Sequence, residues 1–114
     1  MTELAEKHCQ ACEGGVSPLL RKEAEYLLKQ LEGWDLNPEA TEIQCVYAFK
    51  NYYHTMAFVN ALAYISHTEN HHPDLEVSYN RCVVRYTTHA IGGLSENDFI
   101  CAAKSDQLIA LVKK

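Results

Sequence analysis

The first hydrophobic pattern in the chain has the spacing of a helix. Its apolar positions lie three or four residues apart, so one helix face would carry all of them. They are Leu20, Ala24, Leu27 and Leu31. Ser17 and Pro18 suit the N-cap and the first helical position, and Gly33 suits a C-cap. The pattern predicts a first helix that starts at Ser17-Pro18 and ends before Gly33.

Two runs after this helix alternate in the way that β-strands do. They cover residues 34–37 and 42–49, on either side of a turn around Asn37-Pro38-Glu39. The residues of the second run that would share one face are Ile43, Cys45, Tyr47 and Phe49. We therefore predict a pair of strands, the second of them half-buried.

From Tyr53 to Thr68 the period becomes helical again, with one wide apolar side. That side consists of Met56, Val59 and Ala63, with Phe58, Leu62 and Ile65 beside them. Pro73 prevents any continuation of this helix, because proline has no backbone N–H to donate. Two short alternating runs follow, and they predict two strands joined by a tight turn at Asn80-Arg81. Their alternating positions are Leu75, Val77 and Tyr79, then Cys82, Val84, Tyr86 and Thr88.

A third helix is predicted from Ser95 to the C-terminal end of the chain. Ser95 and Asp98 have the three-residue spacing of a capping box, with Asp98 in place of the usual Glu or Gln. Lys113 and Lys114 carry charges that suit a helix C-terminus. We interpret Asp98 as a helix cap and not as a substrate ligand.

The order of these elements favours one fold class. Two hairpins that alternate with helices predict an α+β two-layer sandwich, in which a four-stranded antiparallel sheet carries three helices on one face. The domain is expected to span residues 17–114. Residues 1–16 are polar and contain Gly14-Gly15, so we expect a loosely ordered N-terminal arm. A thin core leaves apolar surface uncovered, and a homodimer or homotetramer is expected to cover it.

Composition excludes several classes of function. At 114 residues the chain has room for a single core, and its net charge of −5 argues against direct binding of nucleic acid. The chain has no secretory signal pattern and no apolar run that could span a bilayer, so we expect a cytoplasmic protein with reduced cysteines. Cys9 and Cys12 form a lone Cys-x-x-Cys pair, which we interpret as a surface feature without a catalytic role.

Four of the six histidines lie within 23 residues, at positions 67, 71, 72 and 89. An imidazole can donate or accept a proton near neutral pH. The residues alone leave three interpretations open: solvated histidines in a polar connection, a transition-metal site, or metal-free acid–base catalysis. The metal site is disfavoured, because adjacent histidines rarely converge on one ion and neither a cysteine nor an acidic partner supports it.

The histidines belong to a longer signature. It consists of His67-Thr68-Glu69-Asn70-His71-His72-Pro73 followed by Tyr79, His89 and Asp98, together with the segment from Thr88 to Asp98 and the run Leu31-Glu32-Gly33-Trp34. In these features the chain resembles the pterin-4a-carbinolamine dehydratase family, over residues 17–112. One position departs from the family pattern: the residue four before His71 is often acidic, and here it is His67. Glu69 does not simply replace it, because two residues along a helix turn a side chain to nearly the opposite face.

The resemblance implies a hydro-lyase. Such an enzyme dehydrates 4a-hydroxytetrahydrobiopterin to quinonoid dihydropterin and thereby recycles the cofactor of aromatic amino acid hydroxylases, so a hydroxylase is the expected partner. Nothing is oxidised overall, and neither a cofactor nor a metal is expected. The resemblance assigns the acid–base chemistry to His71, His72 and His89. The residues expected to bind the pterin are Asn70, Pro73, Thr87, Thr88, Ala90 and His67.

Two other functions stay open at this point. Some members of the family also act as coactivators of a transcription factor, so the chain could be a dimerising interaction module. A metal-dependent hydrolase is the other alternative.

Overall fold

A four-stranded antiparallel sheet forms one layer of the structure, a computed structural model that describes residues 4–10 and 17–112. In chain order the elements are α1 (Arg21–Leu28), β1 (Trp34–Leu36), β2 (Ile43–Ala48), α2 (Tyr52–Glu69), β3 (Asp74–Ser78), β4 (Arg81–Tyr86) and α3 (Glu96–Val112). Short 3₁₀ turns lie at Leu4–Glu6 and His89–Ile91. The strand order is β1-β2-β4-β3, and the three helices form the second layer. The predicted α+β sandwich is confirmed.

The register of the two central strands places three pairs of hydrophobic residues on one face. In the pairing of β2 with β4, Ile43 lies opposite Tyr86, Cys45 opposite Val84, and Tyr47 opposite Cys82. All six side chains are buried. The helical layer contributes buried residues to the same core cluster: Phe58, Leu62, Phe99, Ile100, Cys101 and Ala102. The alternation predicted for β2 is confirmed, whereas in β4 Val83, which pairs with Val46 on the opposite face, is buried as well. The core lies between the first face and helices α2 and α3.

The predicted boundaries of the first helix are wrong at both ends. Helix α1 begins at Arg21, with Leu20 as an extended N-cap residue instead of Ser17. The cause is a backbone hydrogen bond from the Leu19 amide to the Leu94 carbonyl, 2.8 Å long, which holds the preceding segment extended. The helix ends at Leu28, and Gly33 instead supplies a left-handed residue, with φ of +79°, directly before β1.

Helix α2 ends in a way that sets the direction of the chain after it. Asn70 adopts the left-handed conformation, with φ of 52°, and its amide donates to the carbonyl of His67. The amide of His71 donates to the carbonyl of Ser66 at 3.1 Å. These two bonds satisfy carbonyls of the last helical turn, as in a Schellman-type end. The helix therefore ends at Glu69, before Pro73 is reached.

Residues 4–10 lie along α3. Leu4 is buried in the core, and the ammonium of Lys104 donates to the carbonyl of Ala5 at 2.8 Å. The predicted arm extends to residue 16, but residues 1–3 and 11–16, with Cys12 among them, lie outside the described residues. The loose order of the arm, its boundary and the surface position of the Cys-x-x-Cys pair therefore stay predictions.

Helix α2 is the longest helix of the described chain, with 18 residues. Neither it nor any other helix in residues 4–10 and 17–112 combines the length and the apolar character that a membrane crossing needs.

Substitution of Asn70 tests the end of α2. Asn70→Ala is expected to lower the free energy of unfolding by about 1 kcal/mol, because a Cβ disfavours the left-handed conformation and alanine lacks the local compensation of asparagine. Asn70→Gly is the matched control, since it also removes the side chain but adopts positive φ without strain. Urea unfolding followed by circular dichroism measures both variants. Equal stabilities would contradict the conformational role assigned to position 70.

Candidate functional site

A cavity of about 520 Å³ lies beside the C-terminal end of α2. This volume is within the range of pockets that hold small organic ligands, roughly 300–1,000 Å³. Three parts of the chain line it: the end of α2 with the residues after it, the connection from β4 to α3, and the N-terminal segment with the first turn of α3. The lining residues are Cys9, Gln10, Thr68, Glu69, Asn70, His71, His72, Thr87, Thr88, His89, Ala90 and Asn97.

The structure brings most of the predicted site residues to this cavity. All three histidines assigned to acid–base chemistry, His71, His72 and His89, line it. The predicted pterin-binding residues Asn70, Thr87, Thr88 and Ala90 line it as well. Two predicted binding residues are not among the lining residues: His67, which is exposed on α2, and Pro73.

His71 is held by a buried carboxylate. Its Nε2 lies 2.6 Å from Oδ1 of Asp98, and the side chains are 12% and 0% exposed. A carboxylate only accepts hydrogen bonds, so this contact assigns the proton to Nε2 and leaves Nδ1 as the proton acceptor of the neutral ring. The ring also stacks on Tyr86, with centroids 5.8 Å apart and planes 8° apart. His71 is therefore fixed both at one nitrogen and across its face.

Asp98 also caps α3, as predicted. Its Oδ2 accepts from the Ser95 amide at 3.0 Å and from the Thr88 hydroxyl at 2.8 Å. The hydroxyls of Thr88 and Ser95 are themselves 2.8 Å apart. The sequence interpretation separated capping from a role in the site, whereas one carboxylate performs the capping and contacts His71. Ser95 is three positions from Asp98, so the capping contact could be predicted from the sequence. His71 is 27 positions from Asp98, and its contact with the carboxylate was not predicted.

His89 lies on a short closed loop next to this network. The amide of Thr88 donates to the carbonyl of Gly93 at 2.9 Å, and the amide of Gly92 donates to the carbonyl of His89 at 3.2 Å. Gly92 has φ of +68°, which a glycine adopts without strain. The His89 side chain is 73% exposed and its Nε2 is 4.0 Å from the exposed carboxylate of Asp74, a contact that contributes little energy. His89 is thus on the solvent side of the cavity and His71 on the protein side.

Five lining residues were not predicted: Cys9, Gln10, Thr68, Glu69 and Asn97. The N-terminal segment has no hydrophobic periodicity, so nothing in it indicated a place in the site. Glu69 lies within the signature, and its carboxylate is in the cavity wall while the His67 side chain is exposed. This agrees with the prediction that the two side chains point to different sides of the helix.

Glu69 and Cys9 have perturbed pKa values with identifiable causes. Burial would raise the pKa of the Glu69 carboxyl, but hydrogen bonds from the Cys9 amide and from His8, with the charge of Lys104, lower it below its ordinary value. The contact with the Cys101 thiol, followed by burial, raises the pKa of the Cys9 thiol far above its ordinary value. Glu69 is therefore ionised at neutral pH and Cys9 is a neutral thiol.

Within residues 4–10 and 17–112, no three His, Cys, Asp or Glu side chains are grouped in a way that could hold a metal ion.

Comparison with known proteins identifies the family. The profile of the family described as pterin 4 alpha carbinolamine dehydratase matches residues 17–108. The chain belongs to this family. The carbinolamine dehydratase relatives include a protein of Nitrosomonas eutropha, provisionally named pterin-4-alpha-carbinolamine dehydratase, which is 64% identical over 108 residues and covers 94% of each chain. A Nitrosospira multiformis protein with the same provisional name is 59% identical and covers 96% of this chain and 95% of its own.

A solved structure supports the same assignment. The protein from Brucella melitensis, titled a transcriptional coactivator/pterin dehydratase, is 26% identical and superposes with a TM-score of 0.77. The match covers 86% of this chain and all of that one. The profile of the pterin carbinolamine dehydratases starts at residue 17, so Cys9 and Gln10 line the cavity from outside the matched region.

Substitution of Thr88 tests the buried network around Asp98. Thr88→Val preserves the shape of the side chain but removes the hydroxyl that donates to Asp98, so the buried carboxylate loses one donor. The free energy of unfolding is expected to fall by about 1–3 kcal/mol. Thr88→Ser retains the hydroxyl and is expected to cost less than Thr88→Val. Chemical denaturation of both variants measures the difference, and a serine variant less stable than the valine variant would refute the role of the hydroxyl.

Proposed function

We propose that this pterin-4a-carbinolamine dehydratase family member dehydrates 4a-hydroxytetrahydrobiopterin to quinonoid dihydropterin. One observation carries the proposal: the adjacent His71 and His72 and the distant His89 line a single cavity with room for a flat bicyclic ring. The family membership supports the reaction class. The geometry supports acid–base groups as the means of catalysis.

The reaction needs two proton transfers. The hydroxyl at C4a leaves as water after it gains a proton, and a ring nitrogen loses a proton as the new double bond forms. No electrons are transferred to another molecule. We assign His71 and His89 to the departing hydroxyl, as proton donor or acceptor, and His72 to holding the ring or to the complementary transfer. General acid–base groups of this kind each contribute about 10²–10⁴-fold in rate.

Asp98 supports the part assigned to His71. A buried carboxylate beside Nε2 keeps the ring in one orientation and stabilises the positive charge that the ring gains when it accepts a proton. Tyr86 stacks against the same ring and restricts its tilt. His71 therefore acts as a pre-positioned group, and no reorganisation is needed when a proton moves.

The amino-oxo edge of a pterin needs paired donors and acceptors. We assign this recognition to polar groups around Asn70 on one side of the cavity and around Thr87, Thr88 and Ala90 on the other. The hydroxyl of Thr87 donates to the Thr41 carbonyl at 2.6 Å, which fixes this second side to the loop before β2. A flat ring held between two fixed edges is oriented before any proton transfer occurs.

Histidine substitutions test the proposal. His71→Ala and His89→Ala are each expected to lower kcat/KM for the 4a-hydroxypterin by about 10²–10⁴-fold, because each removes one acid–base group. The assay follows decay of the hydroxypterin without added metal or cofactor. His54→Ala is the matched control, since His54 lies in the first turn of α2 and does not line the cavity. Activity equal to the parent protein in both site variants would refute the assignment.

We also propose that the chain forms a homodimer or homotetramer and serves an aromatic amino acid hydroxylase in the cytoplasm. Exposed aromatic side chains on α2 support the self-association: Tyr53 is 76% and Tyr64 is 68% exposed. Large apolar groups of this kind are typical of contact surfaces when they are contiguous.

Sedimentation equilibrium tests the self-association. The parent protein is expected to have the mass of two or four chains, and Tyr64→Glu is expected to shift the population towards smaller species, because a charge would be buried in the contact. Gln107→Glu, at an exposed position on α3, adds the same charge as a control. A parent protein that is monomeric at assay concentrations would refute the oligomer.

A further inference from the structure

We propose that Glu69 is a positioning residue that fastens residues 4–10 against the cavity, so that Cys9 and Gln10 form part of the wall that holds the pterin. This inference rests on the proposed function. It concerns a segment outside the residues that the family profile matches, which begin at residue 17.

The carboxylate of Glu69 makes the first attachment. Its Oε1 accepts from the Cys9 amide at 2.7 Å, and its Oε2 lies 2.9 Å from Nδ1 of His8. The ammonium of Lys104 is 3.8 Å from the same Oε2. Only 6% of the Glu69 side chain is exposed, although it ends a helix at the surface. A nearly buried carboxylate needs such partners, and two of the three belong to the N-terminal segment.

Asn97 makes the second attachment. Its Oδ1 accepts from the Gln10 amide at 3.0 Å, and its Nδ2 donates to the Gln10 carbonyl at 2.5 Å. This pairing binds both backbone groups of Gln10 in the manner of a neighbouring strand. The thiol of Cys9 lies 3.5 Å from that of Cys101 and 3.7 Å from the Asn97 carbonyl. Cys9 and Gln10 are thus held to α2 and α3 by five contacts.

Both attachments of the N-terminal segment lie in the wall of the cavity, so their loss would affect binding of the pterin. Glu69, Cys9, Gln10 and Asn97 line the same cavity as the three histidines. None of the hydrogen bonds of Glu69 involves a histidine assigned to acid–base chemistry, so release of the segment would leave those rings in place. A missing wall would remove contacts to the pterin and admit water, which weakens binding without changing the proton transfers. Glu69 therefore affects KM more than kcat.

The decisive measurement is a split between KM and kcat. Glu69→Ala is expected to raise KM for the 4a-hydroxypterin about 10-fold and to change kcat less than about twofold. Glu69→Gln retains an acceptor for the Cys9 amide and is expected to keep KM within about threefold of the parent value. Glu76→Gln, at an exposed carboxylate on β3, is the control and should change neither parameter. A merely structural role would lower the active fraction and leave KM unchanged, and that result would overturn the proposal.

A second pair of variants avoids any change to α2. Cys9→Pro removes the backbone N–H that donates to Glu69, and Cys9→Ser removes the same thiol but retains that N–H. Both variants lose the thiol, so the comparison is between them: the proline variant is expected to have a KM about 10-fold above that of the serine variant. Equal KM values for these two variants would overturn the proposal even if Glu69→Ala failed to fold.

Amide hydrogen exchange separates this inference from the proposed function. The amides of Cys9 and Gln10 are expected to be protected in the parent protein and to exchange faster in Glu69→Ala. Protected amides in a parent protein without dehydratase activity would refute the proposed function alone. If the parent protein is active and Glu69→Ala does not change its KM, the role proposed for Glu69 and residues 4–10 is refuted, and the proposed function is not.

Discussion

The buried carboxylate of Asp98 joins three parts of the chain that are far apart in sequence. Its two oxygens accept from the His71 ring, the Thr88 hydroxyl and the Ser95 amide, at 2.6–3.0 Å. Burial of an ionised carboxylate costs several kcal/mol unless hydrogen-bond donors surround it. All three donors are therefore needed to stabilise Asp98 in the core. The end of α2, the loop after β4 and the start of α3 are therefore held in one arrangement, and the cavity lies between them.

The sheet also helps to hold this arrangement, because Tyr86 of β4 packs against the His71 ring. Tyr86, the last residue of β4, is fully buried, and its ring contacts those of Trp34 and His71, with centroids 6.0 Å and 5.8 Å away. A packed core permits little displacement of such a ring. The orientation of a histidine at the cavity thus depends on the register of two central strands as well as on its own hydrogen bond.

Local patterns in the sequence predicted the parts of the fold that depend on local physics. The alternation from Ile43 to Phe49 has one buried face, so its period of two was sufficient to predict both the strand and its inward side. The cap of α3 was visible because Ser95 and Asp98 are three residues apart. The start of α1 was not, because Leu19 is fixed by a backbone bond to Leu94, and no pattern near residue 19 reports a partner 75 positions later.

In the site, too, features set by local spacing were predicted and features set by distant contacts were not. The resemblance identified the three histidines and four lining residues from the spacing of a known signature, whereas Cys9 and Gln10 reach the cavity only through contacts with α2 and α3. Polar residues without periodicity carry no information about which distant groups they meet. The second function of Asp98 was hidden for the same reason.

The length of α2 is itself constrained. Its 18 residues make five whole turns at 3.6 residues per turn, so the N-cap residue Asn51 and the last helical residue Glu69 lie on the same side of the helix axis. One inserted or deleted residue would rotate everything beyond it by about 100° and carry the ring of His71 away from its carboxylate. Related sequences are consequently expected to differ in this helix by amino-acid replacements and not by insertions or deletions of single residues.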